Sequence, residues 1–152
     1  MKQMRYRHTH TMFNDRIPST GEKVVAKLLL YNEANEVLVL YRSMTHPHFP
    51  GHPDFPGGEV ETNEDWRAAI CRETKEETGI IIMPNNVTHV LTKEHTHVTH
   101  VVYETHVHDN PQVQLSWEHS QYTWLAKENL LRITPAGADQ YYIDVVNYII
   151  SK

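Results

Sequence analysis

Three glutamates near the middle of the sequence share one face of a predicted helix. Glu76 and Glu77 follow Glu73 at spacings of three and four residues, which bring side chains together on a helix surface. Glu76 and Glu77 also lie near the C-terminal end of that helix, where the helix dipole disfavours each negative charge by roughly 0.3–1 kcal/mol. Carboxylates gathered where they repel one another indicate a cation site, and their hard oxygen atoms favour Mg²⁺ or Mn²⁺ over zinc.

A loop with two glycines precedes this helix. Residues 55–58 read Phe-Pro-Gly-Gly, and glycines let the backbone approach a neighbouring group closely and direct a carbonyl or an amide at a ligand. The alternative is a solvated acidic helix end, which is common for paired glutamates taken alone. These residues taken alone leave both alternatives open, and the family resemblance carried by residues 58–80 favours a metal and phosphate site.

The spacing of residues 58–80 resembles the Nudix box. Gly58 is followed after five residues by Glu64, and after seven more by the run Arg-Glu-Thr-Lys-Glu-Glu-Thr-Gly-Ile. The family pattern differs at one position, because it has an aliphatic residue where this chain has Thr74. Threonine is β-branched and close to valine in shape, so we expect Thr74 to pack as the aliphatic residue would and to leave the chemistry intact.

The resemblance implies an α+β fold, an α/β/α sandwich in which helices flank a mixed β-sheet. It also implies hydrolysis of a nucleoside diphosphate linked to another group, with Mg²⁺ as cofactor and Mn²⁺ as a substitute. A divalent ion in such a site polarises phosphoryl oxygens and lowers the pKa of a bound water. The metal ligands that the resemblance implies are the Gly58 carbonyl, Glu73, Glu76 and Glu77.

Two further residues of the box have implied roles in orienting the carboxylates. Arg72 would hold a carboxylate in place, with Glu64 as its ion-pair partner. Glu64 also has a simpler explanation, because an acid in the first turn of a helix interacts favourably with the dipole. Which carboxylate accepts a proton stays open, since clustered carboxylates titrate as a coupled set.

One glutamate outside the box is a candidate base or additional ligand. Glu118 precedes a predicted strand that ends at the site, and Glu94 and Glu104 are weaker candidates of the same kind. The alternative for each is an exposed acid on a strand or loop. We include Glu118 with the box residues in the predicted catalytic set, which is Glu64, Arg72, Glu73, Glu76, Glu77 and Glu118.

The predicted substrate contacts lie in the loops around the box. Arg42 follows a strand and could meet a phosphate, although an ion pair is the alternative. The rings of Phe55 and Tyr122 could stack on a base, although core packing is the alternative for both. The predicted substrate-binding residues are Arg42, Phe55, Gly57, Gly58 and Tyr122.

The identity of the substrate is not decided by the sequence. Residues 40–58 partly match a motif of coenzyme A pyrophosphatases, with departures at Leu40 and Pro47, whereas residues 118–125 are similar to diadenosine polyphosphate hydrolases. A non-catalytic regulator that binds nucleotides is disfavoured because the three glutamates are intact. An isoprenoid diphosphate isomerase is disfavoured because Cys71, the only cysteine, lies inside the predicted helix.

Histidines are abundant in one predicted hairpin. The chain has 12 histidines in all, and six of them fall in residues 89–108. A zinc site needs three or four converging ligands, whereas neighbours on one face of a strand are ~6.5–7 Å apart. We therefore expect solvated histidines in this hairpin instead of a metal site.

Composition sets the protein class. A length of 152 residues suits one domain, and the net charge of −5 argues against stable nucleic-acid binding. No run approaches the ~18 apolar residues of a membrane span, nothing resembles a signal peptide, and a single cysteine suits a reducing compartment. We expect a cytoplasmic enzyme whose partner is a small nucleotide-like diphosphate, and a homodimer is compatible with the sequence.

The apolar periodicity predicts an arm at residues 1–20 and one domain at residues 21–152, in the order strands, helix, strands, helix. A loop rich in proline is expected at 43–54. Strands are expected at 23–31, 37–41, 80–83, 87–94, 98–108 and 121–126, and helical segments at 62–78, 127–131 and 134–150.

Overall fold

Seven β-strands form one mixed sheet in the part of the chain that the computed structural model describes, residues 23–152. β1 and β6 run parallel, and the other pairs are antiparallel. The predicted arm at 1–20 lies outside the described residues. The strands are β1 (Lys23–Tyr31), β2 (Val37–Arg42), β3 (Pro53–Asp54), β4 (Gly57–Glu59), β5 (Thr88–His95), β6 (Val98–His106) and β7 (His119–Leu125).

Helices cover both faces of this sheet. They are α1 (Trp66–Thr78), α2 (Leu130–Ile133) and α3 (Gln140–Ile150), with short 3-10 turns at Pro84–Asn86 and Lys127–Asn129. Alternate residues of β1 enter two separate cores, so that Leu28 packs with Ile70 of α1 and Leu29 packs with Val145 of α3. The predicted α/β/α sandwich is therefore confirmed. Within residues 23–152, no helix has both the length and the apolar character that crossing a bilayer requires.

Helix α1 begins at Trp66, four residues later than the predicted start at residue 62. Asn63 has a φ of 63°, a left-handed conformation that does not start a helix. Asp65 is the cap instead, because its carboxylate accepts hydrogen bonds from the amides of Arg67 and Ala68. The end is as predicted, since Gly79 adopts a left-handed φ of 75° and its amide bonds the Lys75 carbonyl.

The predicted strand at 80–83 is wrong. Ile80 and Ile82 are buried while Ile81 and Met83 are exposed, so the segment has the alternation of a strand. It forms no ladder, because the Ile80 amide bonds the Thr78 hydroxyl of the preceding helix end. Side-chain alternation alone therefore did not decide the backbone pairing.

The last helix starts at Gln140 instead of Thr134. Thr134 ends the preceding turn, where its hydroxyl donates to the Leu130 carbonyl at 2.8 Å. Gly137 then has a φ of 77°, which interrupts any helix running through it. Asp139 supplies the cap by accepting a hydrogen bond from the Tyr141 amide. Thr134 therefore belongs to the preceding turn and not to the last helix.

A buried ion cluster joins the sheet to α3. Asp54 of β3 accepts hydrogen bonds from Lys27 of β1 at 2.9 Å and from the Arg42 guanidinium of β2 at 2.8 Å. The hydroxyl of Tyr141, in α3, donates to the other oxygen of Asp54. All three charged side chains are nearly inaccessible to solvent. Four elements are thus fixed at the point where the chain enters residues 55–58.

The charge of Asp54 is set by its two cations. Burial alone would raise the pKa of this carboxyl, but the positive charges and hydrogen bonds of Lys27 and Arg42 outweigh burial and lower the pKa from 3.8 to about 2. Asp54 is therefore ionised throughout the neutral range, and the folded state favours that ionised form.

Replacing Asp54 with asparagine removes the anion that two buried cations share. We expect Asp54→Asn to lower the free energy of unfolding by about 3–5 kcal/mol, the usual cost of leaving buried charges unpaired. Urea denaturation measures this loss. The control is Glu33→Gln, an exposed acid, which should change stability by less than about 0.5 kcal/mol.

Stability measured as the pH is lowered tests the role of Asp54 in a second way. Because the folded pKa of Asp54 is depressed, the stability from its charge is complete above pH 3.8 and is lost as the pH falls through about 2. The stability difference between the native protein and Asp54→Asn should therefore shrink over that window. A difference that is constant from pH 5 to the lowest pH at which the protein folds would contradict the assignment.

Candidate functional site

The backbone of residues 55–58 lies directly against β1. The Leu28 amide donates to the Pro56 carbonyl at 2.8 Å, and β4 pairs with β1 so that Gly58 is opposite Ala26. A Cβ added to Gly57 would be 2.0 Å from the Ala26 carbonyl oxygen, and Gly57 has a φ of 145°. Only glycine can occupy this position without moving the loop away from β1.

Gly58 allows a carboxylate of α1 to reach the loop. A Cβ added to Gly58 would lie 2.5 Å from Cδ and 2.6 Å from Oε2 of Glu73. The Glu73 side chain is largely covered, and burial raises its pKa, with further contributions from the negative charges of Glu76 and Glu118 and opposition from Arg72. The missing side chain at 58 thus brings a backbone segment and a carboxylate together.

Glu77 is buried under the same loop. It is 3% exposed, and its Oε1 accepts a hydrogen bond from the Gly57 amide at 2.7 Å. Burial raises the pKa of Glu77 to about 8, against the lowering effects of the Lys27 charge and the Gly57 amide, while the negative charges of Asp54 and Glu118 raise it further. Burial therefore outweighs the effects that lower the pKa of this carboxyl group.

Arg72 gathers the other box acids. Its guanidinium contacts both oxygens of Glu64 at 2.8 and 2.9 Å, one oxygen of Glu73 at 2.9 Å and Glu76 at 3.3 Å. The Arg72 hydrogen bond lowers the pKa of Glu64, which burial opposes. Glu76 has a side chain that is 58% exposed, so it is free to turn toward a ligand in solvent.

Glu118 lies within electrostatic reach of the site, because its negative charge raises the pKa of both Glu73 and Glu77. Its carbonyl accepts from the Ser43 amide at 2.8 Å, which anchors residue 118 beside the 43–52 loop. The weaker candidates differ, since Glu104 forms an ion pair with Lys152 at 2.7 Å and Glu94 is exposed in β5.

Two of the predicted substrate contacts are corrected by the structure. Phe55 is 0% exposed and its ring packs against Tyr142 with centroids 5.4 Å apart, so no ring face is available to a base. Arg42 is buried and directs its guanidinium to Asp54 and to the His48 carbonyl, which commits it to the ion cluster instead of a phosphate. Tyr122 is 43% exposed, and its role in substrate binding stays a prediction.

One of the hairpin histidines is not solvated as predicted. His100 is buried, and its ring stacks on Tyr141 with centroids 4.1 Å apart. Burial lowers the pKa of His100 to about 4, with the Lys27 charge acting in the same direction. Side chains alternate along β6, which puts His100 and His106 on the same face of the strand. The sequence could not show that Tyr141 covers that face at residue 100.

Three residues near the site were missed in the sequence. Lys27 and Asp54 form the ion cluster, and His119 is 6% exposed with its Nδ1 3.6 Å from Oε2 of Glu77. A lysine within the apolar run of β1 was an available signal. The sequence pattern of β7 gave no signal that His119 is buried. The β2–β7 register shifts between Tyr41 and Arg42, so counting along β7 does not predict the direction of the His119 side chain.

The donor set suits a hard divalent cation, although the side chains are paired with Arg72 and Gly57 in this structure. Across residues 23–152, no three His, Cys, Asp or Glu side chains converge closely enough to enclose a metal ion. Mg²⁺ does not require such a cage, since it binds through one or two carboxylates with waters and substrate phosphates. Glu73 and Glu77, two covered carboxylates with raised pKa values beside the Gly58 backbone, fit that requirement.

Comparisons with known proteins agree with this geometry. A model of the NUDIX domain matches residues 21–144. The chain is similar to the MutT protein from Methanosarcina mazei Go1, at 31% identity over 84% of this chain and 91% of that chain with a TM-score of 0.69. It is also similar to a C. elegans Ap4A hydrolase, at 25% identity over 86% of this chain and 99% of that chain with a TM-score of 0.61. The NUDIX domain of Shewanella oneidensis NrtR, solved with ADP ribose, shares the fold at 17% identity over 91% of this chain and 94% of that chain, with a TM-score of 0.66. No curated protein sequence matches the chain.

The close approach at Gly57 can be tested against a second glycine of positive φ. In Gly57→Ala the new methyl must push the loop away from Ala26, which breaks the bond to Glu77, and we expect a loss of about 2–5 kcal/mol in unfolding free energy. Gly137→Ala also places alanine at a positive φ, 77°, but nothing lies within 4 Å of the new Cβ. It should lose only about 1–2 kcal/mol.

Thermal and urea denaturation of the two variants measure this difference. Equal losses would show that backbone conformation alone, and not contact with β1, requires glycine at residue 57.

Proposed function

Since this chain belongs to the NUDIX family and is a pyrophosphohydrolase, we propose that it cleaves the diphosphate of a nucleoside diphosphate linked to another group, with Mg²⁺ held among the glutamates of α1. The supporting observation is the position of Glu77. Its buried carboxylate accepts the Gly57 amide at 2.7 Å, beside a second carboxylate, Glu73, that lies against Gly58. Two carboxyl groups beneath a glycine backbone suit a divalent cation and the phosphates that accompany it.

The cation would be held by Glu73 and Glu77, with the Gly58 carbonyl and the exposed Glu76 completing the set. When bound, Mg²⁺ neutralises charge on the phosphoryl oxygens and steadies the leaving phosphate. The Gly57 amide keeps Glu77 from rotating away, and the raised pKa of Glu77 reflects its burial. These protein groups are oriented before substrate arrives, which lowers the reorganisation needed during reaction.

Arg72 and Glu64 act as an orienting pair. The bidentate contact of Arg72 with Glu64 fixes the guanidinium, and the same guanidinium then holds Glu73 at 2.9 Å. Bidentate pairs of this kind constrain geometry as well as charge. Loss of either partner would leave Glu73 free to turn, so both residues are placed in the catalytic set.

Glu118 is the proposed proton acceptor or additional ligand. Its charge reaches both Glu73 and Glu77, and its backbone is tied to the 43–52 loop through Ser43. It is half-buried, which gives access to a water or a phosphate oxygen in the site. Because the nearby carboxylates interact, their protonation is a property of the group and not of Glu118 alone.

The proposed substrate is a dinucleoside polyphosphate, of which diadenosine polyphosphates are examples. The similarity of residues 118–125 to diadenosine polyphosphate hydrolases and the likeness to the C. elegans Ap4A hydrolase support this choice. The alternative substrate, coenzyme A, loses support because two residues of its motif are bonded within the protein. The Arg42 guanidinium pairs with Asp54, and the Arg42 backbone carbonyl accepts a hydrogen bond from the Gly51 amide. The motif residues in that loop therefore have structural roles.

A substrate panel with and without Mg²⁺ tests the proposal. The panel contains diadenosine tetraphosphate, ADP-ribose, coenzyme A and a nucleoside triphosphate, and chromatography identifies the phosphorylated products. We expect Mg²⁺-dependent release of two nucleotides from diadenosine tetraphosphate. Glu77→Gln should reduce turnover at least ~10²-fold, a typical loss for groups that stabilise charge in the transition state.

Glu128→Gln is the matched control, because Glu128 is an exposed acid in the turn after β7, and its turnover should equal that of the native protein. If the folded protein hydrolyses no diphosphate with Mg²⁺ present, the proposed activity is wrong. If Glu77→Gln leaves the rate unchanged, the metal site is wrong.

A further inference from the structure

His119 places a buried ring nitrogen next to Glu77 without a hydrogen-bond partner. The imidazole lies at the start of β7 and is 6% exposed, and its Nδ1 has no partner within hydrogen-bonding distance. Burying a polar atom without a partner is unfavourable, so the position requires an explanation. Oε2 of Glu77, an acceptor, lies 3.6 Å from this nitrogen.

The two oxygens of Glu77 face different elements. Oε1 accepts the Gly57 amide at the edge of β4, and Oε2 faces Nδ1 of His119 at the start of β7. Both side chains are almost completely covered, with 3% of the His119 side chain and 4% of the Glu77 side chain exposed. Two elements that are distant in sequence therefore determine the rotation of one carboxylate.

We propose that His119 is a positioning residue whose Nδ1–H donates to Oε2 of Glu77 and so holds that carboxylate toward the bound divalent cation. The inference rests on the metal site of the proposed function. The 3.6 Å separation exceeds the usual hydrogen-bond range of about 2.7–3.2 Å, and contacts at catalytic sites are often long before ligands bind. A side-chain movement of about half an ångström forms the bond. Groups that orient a ligand in this way typically change metal affinity by about 10- to 100-fold.

The position of His119 also connects the cation to the substrate side of the site. Its neighbour Glu118 acts electrostatically on Glu73 and Glu77, and β7 continues to the exposed Tyr122. In the β2–β7 ladder, His119 is opposite Arg42, whose guanidinium is fixed by Asp54. The buried ion cluster therefore lies beside the end of β7 that carries His119, and the His119 ring faces Glu77.

Asparagine and glutamine form a matched pair for testing this role. Both are neutral and polar, but the amide nitrogen of asparagine falls near the place of Nδ1, whereas that of glutamine falls near the place of Nε2. Titration with Mn²⁺ alone, followed by water-proton relaxation, should show His119→Asn within about threefold of native affinity. His119→Gln and His119→Leu should bind Mn²⁺ about 10- to 100-fold more weakly.

His108→Leu is the control for loss of a histidine, because the His108 side chain is 97% exposed, and it should bind Mn²⁺ as the native protein does. Circular dichroism of each variant verifies folding. Should the leucine variant fail to fold, the comparison of asparagine with glutamine still decides the question. Equal Mn²⁺ affinities for Asn, Gln and native proteins would overturn the positioning role.

Nitrogen NMR of the native protein tests the same bond without a substitution. Adding Mg²⁺ should move the His119 Nδ1–H proton downfield, as expected for donation to a carboxylate, and a signal that does not change would overturn the proposal. These experiments distinguish failure of the role of His119 from failure of the proposed function. If the native protein binds Mn²⁺ and hydrolyses diphosphates, and the His119 variants bind Mn²⁺ equally well, only the role of His119 is contradicted. If the native protein binds no Mn²⁺, the proposed function is contradicted as well.

Discussion

The hydrogen bond from the Gly57 amide to Glu77 joins the two segments on which the site is built. It forms because Gly57 lies so close to β1 that a side chain would overlap the Ala26 carbonyl, which leaves its amide free to face α1. The bond spans 2.7 Å between buried partners and holds a carboxylate in a position where burial raises its pKa. A cation then meets a carboxylate that is already held in place, so the loop does not have to reorganise when the cation binds.

The buried ion cluster maintains this arrangement from the other side of the loop. Asp54 ends β3 one residue before Phe55, and its bonds to Lys27 and Arg42 fix where residues 55–58 begin. Arg42 is also the backbone partner of His119 in the β2–β7 ladder. One interior carboxylate therefore bonds to side chains beside both the glycine loop and the strand that carries His119. We therefore expect the site to be sensitive to Asp54.

The parts of the site that depend on local spacing could be predicted from the sequence, and those that depend on strand register could not. Glu73 and Glu77 follow from helical periodicity, and the glycine requirement at 57–58 follows from a short, fixed loop. Arg42 looked available for phosphate because nothing local shows that Asp54 approaches it across the β2–β3 ladder. His119 was missed because the β2–β7 register shifts beside Arg42. The start of the last helix depended on the φ of Gly137, which a pattern of apolar residues does not contain.

The central claim is that a divalent cation binds between α1 and the glycine loop, and crystals soaked in Mn²⁺ test it most directly. An anomalous difference map should show a peak beside the carboxylates of Glu73 and Glu77 and the backbone of Gly58. No peak at this position in crystals soaked at millimolar Mn²⁺ would contradict the account.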